Sequence, residues 1–383
     1  MKNKIRVGVV FGGRSVEHEV SLVSASSIIN ALDREKYDII PIGITKEGRW
    51  LSSAETIHLL KSGDTLDREP ERILLPDPTK RTLMQVNPES FRVNADSVSG
   101  DRGPLDVIIP VLHGTYGEDG TIQGLFELAN IPYVGAGVLS SAAGMDKVVA
   151  KQLFECAGLP VTKDVWFLWD RYRSDSNPIL TAIEKKLGYP CFVKPANLGS
   201  SVGISKARNA RELVAGIEQA ANFERKILVE QGIENAREIE CSVLGNDDPR
   251  ASIPGEIIPS NEFYDYDAKY VDGKSTALIP AKLPRRLVRK IQDYAVAAFR
   301  AIDCAGMARV DFLVQKKTNK TYVNEINTIP GFTSISMYPK LWEASGIPFP
   351  KLLDILIDLA LERHEGKRRL KITYKPKADW FKS

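Results

Sequence analysis

Two short alternating segments, GMARVDFLV at 306–314 and TYVNEIN at 321–327, carry the densest chemistry of this 383-residue chain. Both alternate apolar and polar residues as strands do, and QKKTNK between them supplies a turn, so the pattern predicts a β-hairpin. With the turn centred on Thr318, Asp311 falls opposite Glu325 and Arg309 opposite Asn327. Strand side chains alternate faces with period two, so all four share one face. Two facing carboxylates repel unless a cation sits between them. Oxygen donors favour Mg²⁺, which keeps waters and shares phosphate oxygens from a substrate. The competing reading is an exposed salt-bridged face, which an extra carboxylate and a carboxamide beside one arginine make less comfortable.

A second group surrounds Lys194, at the end of an apolar strand and followed by NLGSSVG. Glycines at 199 and 203 let backbone N–H groups approach phosphate oxygens, and the hydroxyls of Ser200 and Ser201 add donors. The lysine precedes the glycines and a strand follows them, so this is not the GxxxxGKS phosphate loop, and a turn without function remains the alternative. Lys147, at the start of a helix, is a further cation for phosphates. The segment EFYDYDAKYVDGKST at 262–276 is aromatic yet too acidic for a core: either a surface loop, or a lid whose Lys269 reaches a phosphate while its aromatics exclude water. PGFTSIS at 330–336 follows the hairpin directly. Its Gly331 N–H can face a developing oxyanion beside Arg309, and its hydroxyls suit a small carboxylate; the alternative is a plain turn.

The elements that position these residues follow from periodicity. Residues 4–11 read as a buried strand, VEHEVSLVSASSIINAL as a helix and YDIIPIGI as a second strand, a βαβ beginning. Residues 46–103, polar and Pro-rich, read as an excursion from the sheet, and LDVIIPVLHG resumes it before a loop, HGTYGEDGTIQG. Asp146 is a predicted N-cap for KVVAKQLFECAG, which stops at Gly158. KILVEQGI is a short strand and REIECSVLG another, with helices expected at 210–223, 285–302 and 350–364. The first glycine loop, FGGRSVEHEVS, looks like a dinucleotide cradle, but GGRSVE lacks the GxGxxG spacing and the second strand ends without an acidic residue.

Composition sets the class. Hydrophobic residues at 43% and charged residues at 26% describe a globular chain with enough apolar surface for two or three domains. The cysteines at 156, 191, 241 and 304 are too dispersed for a zinc site or redox pair, so a reduced cytoplasmic protein is expected. No apolar stretch suits a membrane or a signal peptide. The net charge of +3 is misleading, because the tail from Gly366 holds seven Lys or Arg and one Asp, +6 in all, leaving −3 on the first 365 residues. The body therefore shows no nucleic-acid footprint, and the tail reads as a solvated terminus.

GGRSVEHEVS, HGTYGEDGTIQG, VGAGVLSSAAGMDK, KPANLGSSVGISK, REIECSVLGN, YDYDAKY, ARVDF and NEINTIPGFTSISMYPKLW, in that order, resemble the D-alanine:D-alanine ligase family of the ATP-grasp superfamily, over about residues 4–364. The resemblance implies an α/β and α+β multidomain chain: a Rossmann-like N-terminal (pre-ATP-grasp) domain at 1–137, then a two-part ATP-grasp fold at 138–232 and 233–365, with a basic tail at 366–383. It implies ATP-dependent formation of D-alanyl-D-alanine for peptidoglycan precursors, through D-alanyl phosphate, by a cytoplasmic homodimer whose partners are D-alanine and ATP. Lys147, Lys194 and Ser201 would bind ATP phosphates, the Glu230, Gln231 and Ile233 stretch the adenine largely through backbone, and Glu238 the ribose, with Asn324 also at the nucleotide. Asp311, Glu325 and Asn327 match the family's ligands for two Mg²⁺ ions, for which Mn²⁺ can substitute, and Glu325 would bridge them. Glu17 would bind the ammonium of the first D-alanine and join Ser200 and Tyr270 in a triad that closes the lid. His113 and Glu118 would line that subsite, Ser336 and Met337 the carboxylate of the second D-alanine. Lys269 would assist phosphoryl transfer, with Arg309 and the Gly331 amide at the oxyanion. Tyr270 after Lys269 resembles the dipeptide-forming members rather than those making D-alanyl-D-lactate.

Overall fold

A computed structural model describes residues 4–62, 71–86, 103–258, 276–333 and 335–374. Strands β1 (Ile5–Gly12), β2 (Tyr37–Ile44) and β6 (Val107–Val111) form the parallel heart of a first sheet, with β1 central. Their runs of Val and Ile, buried toward both faces, fit a parallel sheet covered on both sides. The 46–103 segment is more than an excursion: β3 (Trp50–Leu51), β4 (Glu71–Leu74) and β5 (Leu83–Gln85) extend the sheet in the order β5-β4-β3-β2-β1-β6. Each is only two to four residues long, too short for an alternating pattern to stand out among prolines. The end of HGTYGEDGTIQG is likewise not loop, because Thr121 begins the helix Thr121–Leu128.

The second sheet takes the order β7-β10-β8-β9 from β7 (Asp164–Leu168), β8 (Cys191–Pro195), β9 (Ser205–Ala207) and β10 (Lys226–Gln231), all antiparallel. The strand, glycine loop and strand expected around Lys194 are therefore β8, 196–204 and β9. The third sheet centres on β11 (Ala236–Gly245), flanked by β12 (Arg250–Ala251) and β13 (Gly255–Ile258), then β14 (Thr276–Leu278). On its other side lies the hairpin of β15 (Gly306–Gln315) and β16 (Thr321–Asn327).

Helix Arg285–Ala301 covers the third sheet with Leu287, Ile291, Ala295, Ala298 and Phe299, an i, i+4, i+8, i+11, i+12 stripe. Burial of each large side chain in that stripe contributes about 1.5–3 kcal/mol. The C-terminal helix runs Phe349–Arg368, so the basic tail starts three residues later than its composition suggests. Its Leu352, Leu353, Leu356 and Ile357 complete the core of the first sheet, packing with Val9, Val107 and Val111. Arg363 donates to the carbonyls of Gly135 and Tyr133 and lies 4.5 Å over the Tyr133 ring. The chain's last helix thus anchors its first sheet beside the third. Among the described residues no helix is long and apolar enough to cross a membrane.

Candidate active site

At the end of β1 the backbone turns through Gly12 and Gly13, both left-handed; a Cβ on Gly12 would lie 2.2 Å from the Ile44 carbonyl oxygen, so only glycine fits. That turn places Glu17 directly before the helix His18–Ala31. Ser21 accepts from the Gly12 N–H at 2.7 Å and donates to the Val111 carbonyl, fixing the helix start against β1 and β6. One turn further, Ser24 lies 3.3 Å from His113 Nε2, and His113 Nδ1 lies 3.2 Å from the Ile329 carbonyl. This pairing puts the proton on Nδ1 and leaves Nε2 to accept. Burial pushes the His113 pKa down, which keeps the ring neutral. Glu118 accepts from the N–H groups of Gly114 at 2.7 Å and Ile329 at 3.3 Å. Desolvation first, and the Glu17 charge second, push its carboxyl up to about 8.

Glu17 itself is 6% exposed. Its Oε1 accepts from the Ser200 hydroxyl, while Oε2 has no hydrogen-bond partner among the described residues. Cβ atoms on Gly114 and Gly199 would stand 2.7 and 2.5 Å from Oε2, so two glycines keep the space around that oxygen open. A buried anionic oxygen without a donor is costly, and a small cation with N–H groups relieves that cost.

Ser200 sits in the loop between β8 and β9, where Ser200, Ser201 and Gly203 all take positive φ, at 49°, 60° and 72°. For the two serines this costs roughly 1 kcal/mol each. Beside the loop, Asp146 caps the helix Lys147–Cys156 through the N–H groups of Val148 and Val149, as its sequence position predicts. Lys147 Nζ donates to the Leu198 carbonyl at 2.7 Å and lies 3.8 Å from Glu325. Lys194 Nζ pairs with Glu230 and reaches Asn324 Oδ1 at 3.5 Å. Burial opposes the charge on Lys194, but Glu230 and then Glu325 outweigh it and raise its pKa.

The hairpin register matches its sequence reading at the site, with Asp311 opposite Glu325 and Arg309 opposite Asn327. Nearer the turn it departs: a bulge after Asp311 pairs Phe312 with Val323, leaving Asn324 as the extra residue. The bulge turns Asn324 and Glu325 to one side in succession, and both are partly exposed between buried Val323 and Ile326. This places Asn324 toward Lys194 and Glu325 toward Lys147. Arg309 binds both oxygens of Asp311 at 2.7 Å and lies 3.0 Å from Glu240 on β11, while Asn327 Nδ2 donates to Asp311 at 3.1 Å. Burial works against the Arg309 charge, yet Asp311 and Glu240 raise its pKa well above the ordinary value.

The donor set suits a hard cation: two carboxylates and an amide on one strand pair, all able to present oxygen once the Asn327 amide turns over. Among the described residues no group of three or more His, Cys, Asp or Glu is arranged for a metal.

The remaining expected residues are placed unevenly. Gln231 ends β10, with Ile233 just beyond it, and Glu238 lies on the same face of β11 as Glu240, two residues on. The Glu230 side chain is 4% exposed and engaged by lysines, so only its backbone is available to a base. Ser336 Oγ accepts from the Thr333 N–H at 3.0 Å and stands against Gly331, where a Cβ would come within 2.8 Å of it. The Met337 side chain is buried with Ile257 and Leu341, and its backbone opens the helix Met337–Ala344 directly after Ser336. Lys269 and Tyr270 lie outside the described residues. Two charged residues escaped the sequence reading, Lys151 and Glu240. Their signals were present: Lys151 is one helical turn after Lys147, and Glu240 is one strand period after Glu238.

Two sheets meeting across a lysine-lined cleft, with an oxygen-ligand hairpin on one side and a glycine-serine loop on the other, define an ATP-grasp protein. The chain belongs to the D-alanine–D-alanine ligase family: the D-ala D-ala ligase N-terminus matches residues 6–136 and the C-terminus residues 153–358. It is 53% identical over 369 residues to the D-alanine–D-alanine ligase of Heliobacterium modesticaldum, covering 96% of this chain and 97% of that one. The ligase of Chloroherpeton thalassium is 51% identical, covering 97% of this chain and all of its own. Among solved structures, the D-alanine-D-alanine ligase from Coxiella burnetii superposes with a TM-score of 0.81 at 38% identity, covering 96% of each chain. The VanG D-Ala:D-Ser ligase from Enterococcus faecalis reaches the same score at 37% identity, covering 94% of this chain and 100% of its own.

Proposed function

We propose that the protein joins two D-alanines into D-alanyl-D-alanine for peptidoglycan precursors, using ATP and releasing ADP and phosphate. A carboxylate oxygen of the first D-alanine attacks the γ-phosphorus, the bond to ADP breaks, and D-alanyl phosphate results. The amine of the second D-alanine, having lost a proton, attacks the acyl carbon; the carbon–oxygen bond to phosphate breaks, and the departing phosphate takes up the second proton that the nitrogen gives up as the amide forms. One contact carries this reading. The Ser200–Glu17 bond joins the loop after β1 to the loop suited to phosphates, so an amino acid held at Glu17 has its carboxylate beside the nucleotide's reactive end.

Glu17 Oε2 holds the first ammonium, with neutral His113 and Glu118 around it. Lys147, Lys194 and Ser201 take the phosphates, the backbone of Glu230, Gln231 and Ile233 the adenine, Glu238 the ribose, and Asn324 supports Lys194. Asp311, Glu325 and Asn327 would hold Mg²⁺ or Mn²⁺, which would supply neutralisation of phosphate charge. Arg309 and the Gly331 N–H steady the oxyanion as the second amine adds. Ser336 and the Met337 backbone receive the second carboxylate. Lys269 and Tyr270 keep the lid roles their motif implies. The units 1–137, 138–232 and 233–365, a cytoplasmic location and a homodimer belong to the same proposal by resemblance.

The test is ATP hydrolysis with D-alanine alone, with D-alanine plus D-serine or D-lactate, and with L-alanine, products being identified by mass. D-alanyl-D-alanine should dominate every mixture that contains D-alanine. A mixed product in excess would replace the acceptor assignment, and turnover on L-alanine alone would end the proposal.

A further inference from the structure

Lys151 takes no part in the reaction above, yet it is 3% exposed and surrounded by oxygen. Its Nζ donates to the Thr162 carbonyl and Thr162 Oγ1, both at 2.9 Å, and to Glu230 Oε1 at 2.5 Å, with Asp164 Oδ2 at 3.1 Å. A lysine so enclosed cannot touch a nucleotide. Glu230 gives its other oxygen to Lys194, and Thr162 Oγ1 lies 3.3 Å from Glu230 Oε1. Burial opposes the Glu230 charge, but Lys194 and Lys151 together pull the carboxyl down to about 2. A line of alternating charge, Asp164, Lys151, Glu230 and Lys194, therefore crosses the second sheet and ends at Asn324 of the hairpin.

The geometry limits what such a line can do. An ammonium has three N–H donors, and Lys194 gives one to Glu230 and directs a second toward Asn324 at 3.5 Å. A carboxylate shared between two cations offers each a single oxygen. If Lys151 were absent, Glu230 Oε1 would keep only the longer contact to the Thr162 hydroxyl at 3.3 Å, and the buried carboxylate would draw Lys194 toward it, because a buried charge without a paired cation is strongly disfavoured. The donor left for a phosphate would then be drawn inward. We propose that Lys151 is a positioning residue for the nucleotide: by holding one oxygen of Glu230 it keeps Lys194 extended toward the phosphates. The proposal rests on Lys194 being a phosphate ligand.

A double-mutant cycle on the full-length protein, reading ATP Kd by calorimetry and KM for each substrate, separates the two claims. Lys194→Met should weaken ATP binding at least about tenfold; if it does not, the reading of Lys194 itself fails. Lys151→Met should raise ATP Kd and KM about tenfold with the D-alanine KM within twofold, and should add less than twofold in the Lys194→Met background. A Lys151→Met protein that melts earlier but binds ATP normally would make Lys151 a structural cross-link only and overturn the proposal. Equal losses toward ATP and D-alanine, or full additivity with Lys194→Met, would overturn it too. Should Lys151→Met fail to fold, Thr162→Val removes the hydroxyl that braces both Lys151 and Glu230, with about a threefold rise in ATP Kd expected. An unchanged ATP Kd in that variant overturns the proposal equally.

Discussion

The two ends of the cleft solve the same problem, keeping carboxylates near one another, by opposite means. At the hairpin end, β pairing sets Asp311 against Glu325, and the resident Arg309 occupies both oxygens of Asp311. At the amino-acid end, Glu17 and Glu118 come from loops after different strands and no arginine or lysine pairs with either among the described residues; desolvation instead pushes Glu118 up to about 8. One end is a charged lattice ready to exchange its cation. The other is a desolvated site where one carboxylate is pushed toward its protonated form and Glu17 Oε2 has no hydrogen-bond partner among the described residues. The difference suits the partners proposed for each, a metal–phosphate complex and a small zwitterion.

The contrast breaks most visibly at Asp311. Asp311→Ala should lower kcat by about 10³-fold or more, and added Mn²⁺ should not restore it, because the carboxylate that pairs directly with Glu325, and is proposed to share a cation with it, is gone. Near-normal rates in a magnesium titration would mean the hairpin is a salt-bridged face and the two ends differ in nothing functional. Glu17→Gln attacks the other end. It should raise the KM for the first D-alanine about 100-fold while ATP Kd changes less than about twofold, since a buried carboxylate facing an ammonium is worth several kcal/mol. Parallel loss of ATP binding in the same titration would merge the two ends into one site.

Legibility in the sequence divides along the same line. The hairpin end could be read because strand register follows from a period of two and a turn centre; within the hairpin the bulge at Asn324 escaped, since an extra residue leaves no mark on an alternating pattern. Strands β3 to β5 escaped because two to four residues cannot display a period. At the amino-acid end, nothing local links Glu17 to Ser200, which are 183 residues apart, and only the resemblance to a family brought them together. The buried face of Met337 was hidden for a related reason: a helix start offers both its backbone and its side chain, and packing against Ile257 and Leu341 buries the side chain. Lys151 was passed over because a lysine in a helix is ordinarily a solvated residue, and its acceptors, Thr162, Asp164 and Glu230, come from other elements.

The bond between the two ends can be loosened without removing either. Ser200→Ala leaves Glu17 buried and takes away the hydroxyl on Oε1. A hydrogen bond to a charged group is worth about 1.5–3 kcal/mol, and part of that loss is recovered when substrate rather than serine meets the carboxylate. The expected result is a rise of about tenfold in the KM for the first D-alanine, with a smaller effect on ATP Kd. An effect confined to ATP would assign Ser200 to the phosphate loop alone and remove the contact on which the joined reading rests.

The smallest effect lies in stability and carries a definite sign. Glu118 holds its proton in the fold up to about 8, whereas an unfolded glutamate releases it near 4.3. Between those values the folded protein binds more protons than the unfolded chain, so the contribution of Glu118 is fully present below about pH 4.3 and is lost as pH rises toward 8. Glu118→Gln removes the titration. Gly114 and Ile329 donate to different oxygens of Glu118, and the glutamine puts an NH2 in place of one of them, which lowers stability by an amount that does not depend on pH. On top of that offset, the melting temperature of the variant relative to the parent should improve by about 1–3 °C between pH 5.5 and 8.5. A difference that stays level across this range would mean Glu118 is ionised throughout, and the amino-acid end would then share the charged character of the hairpin end.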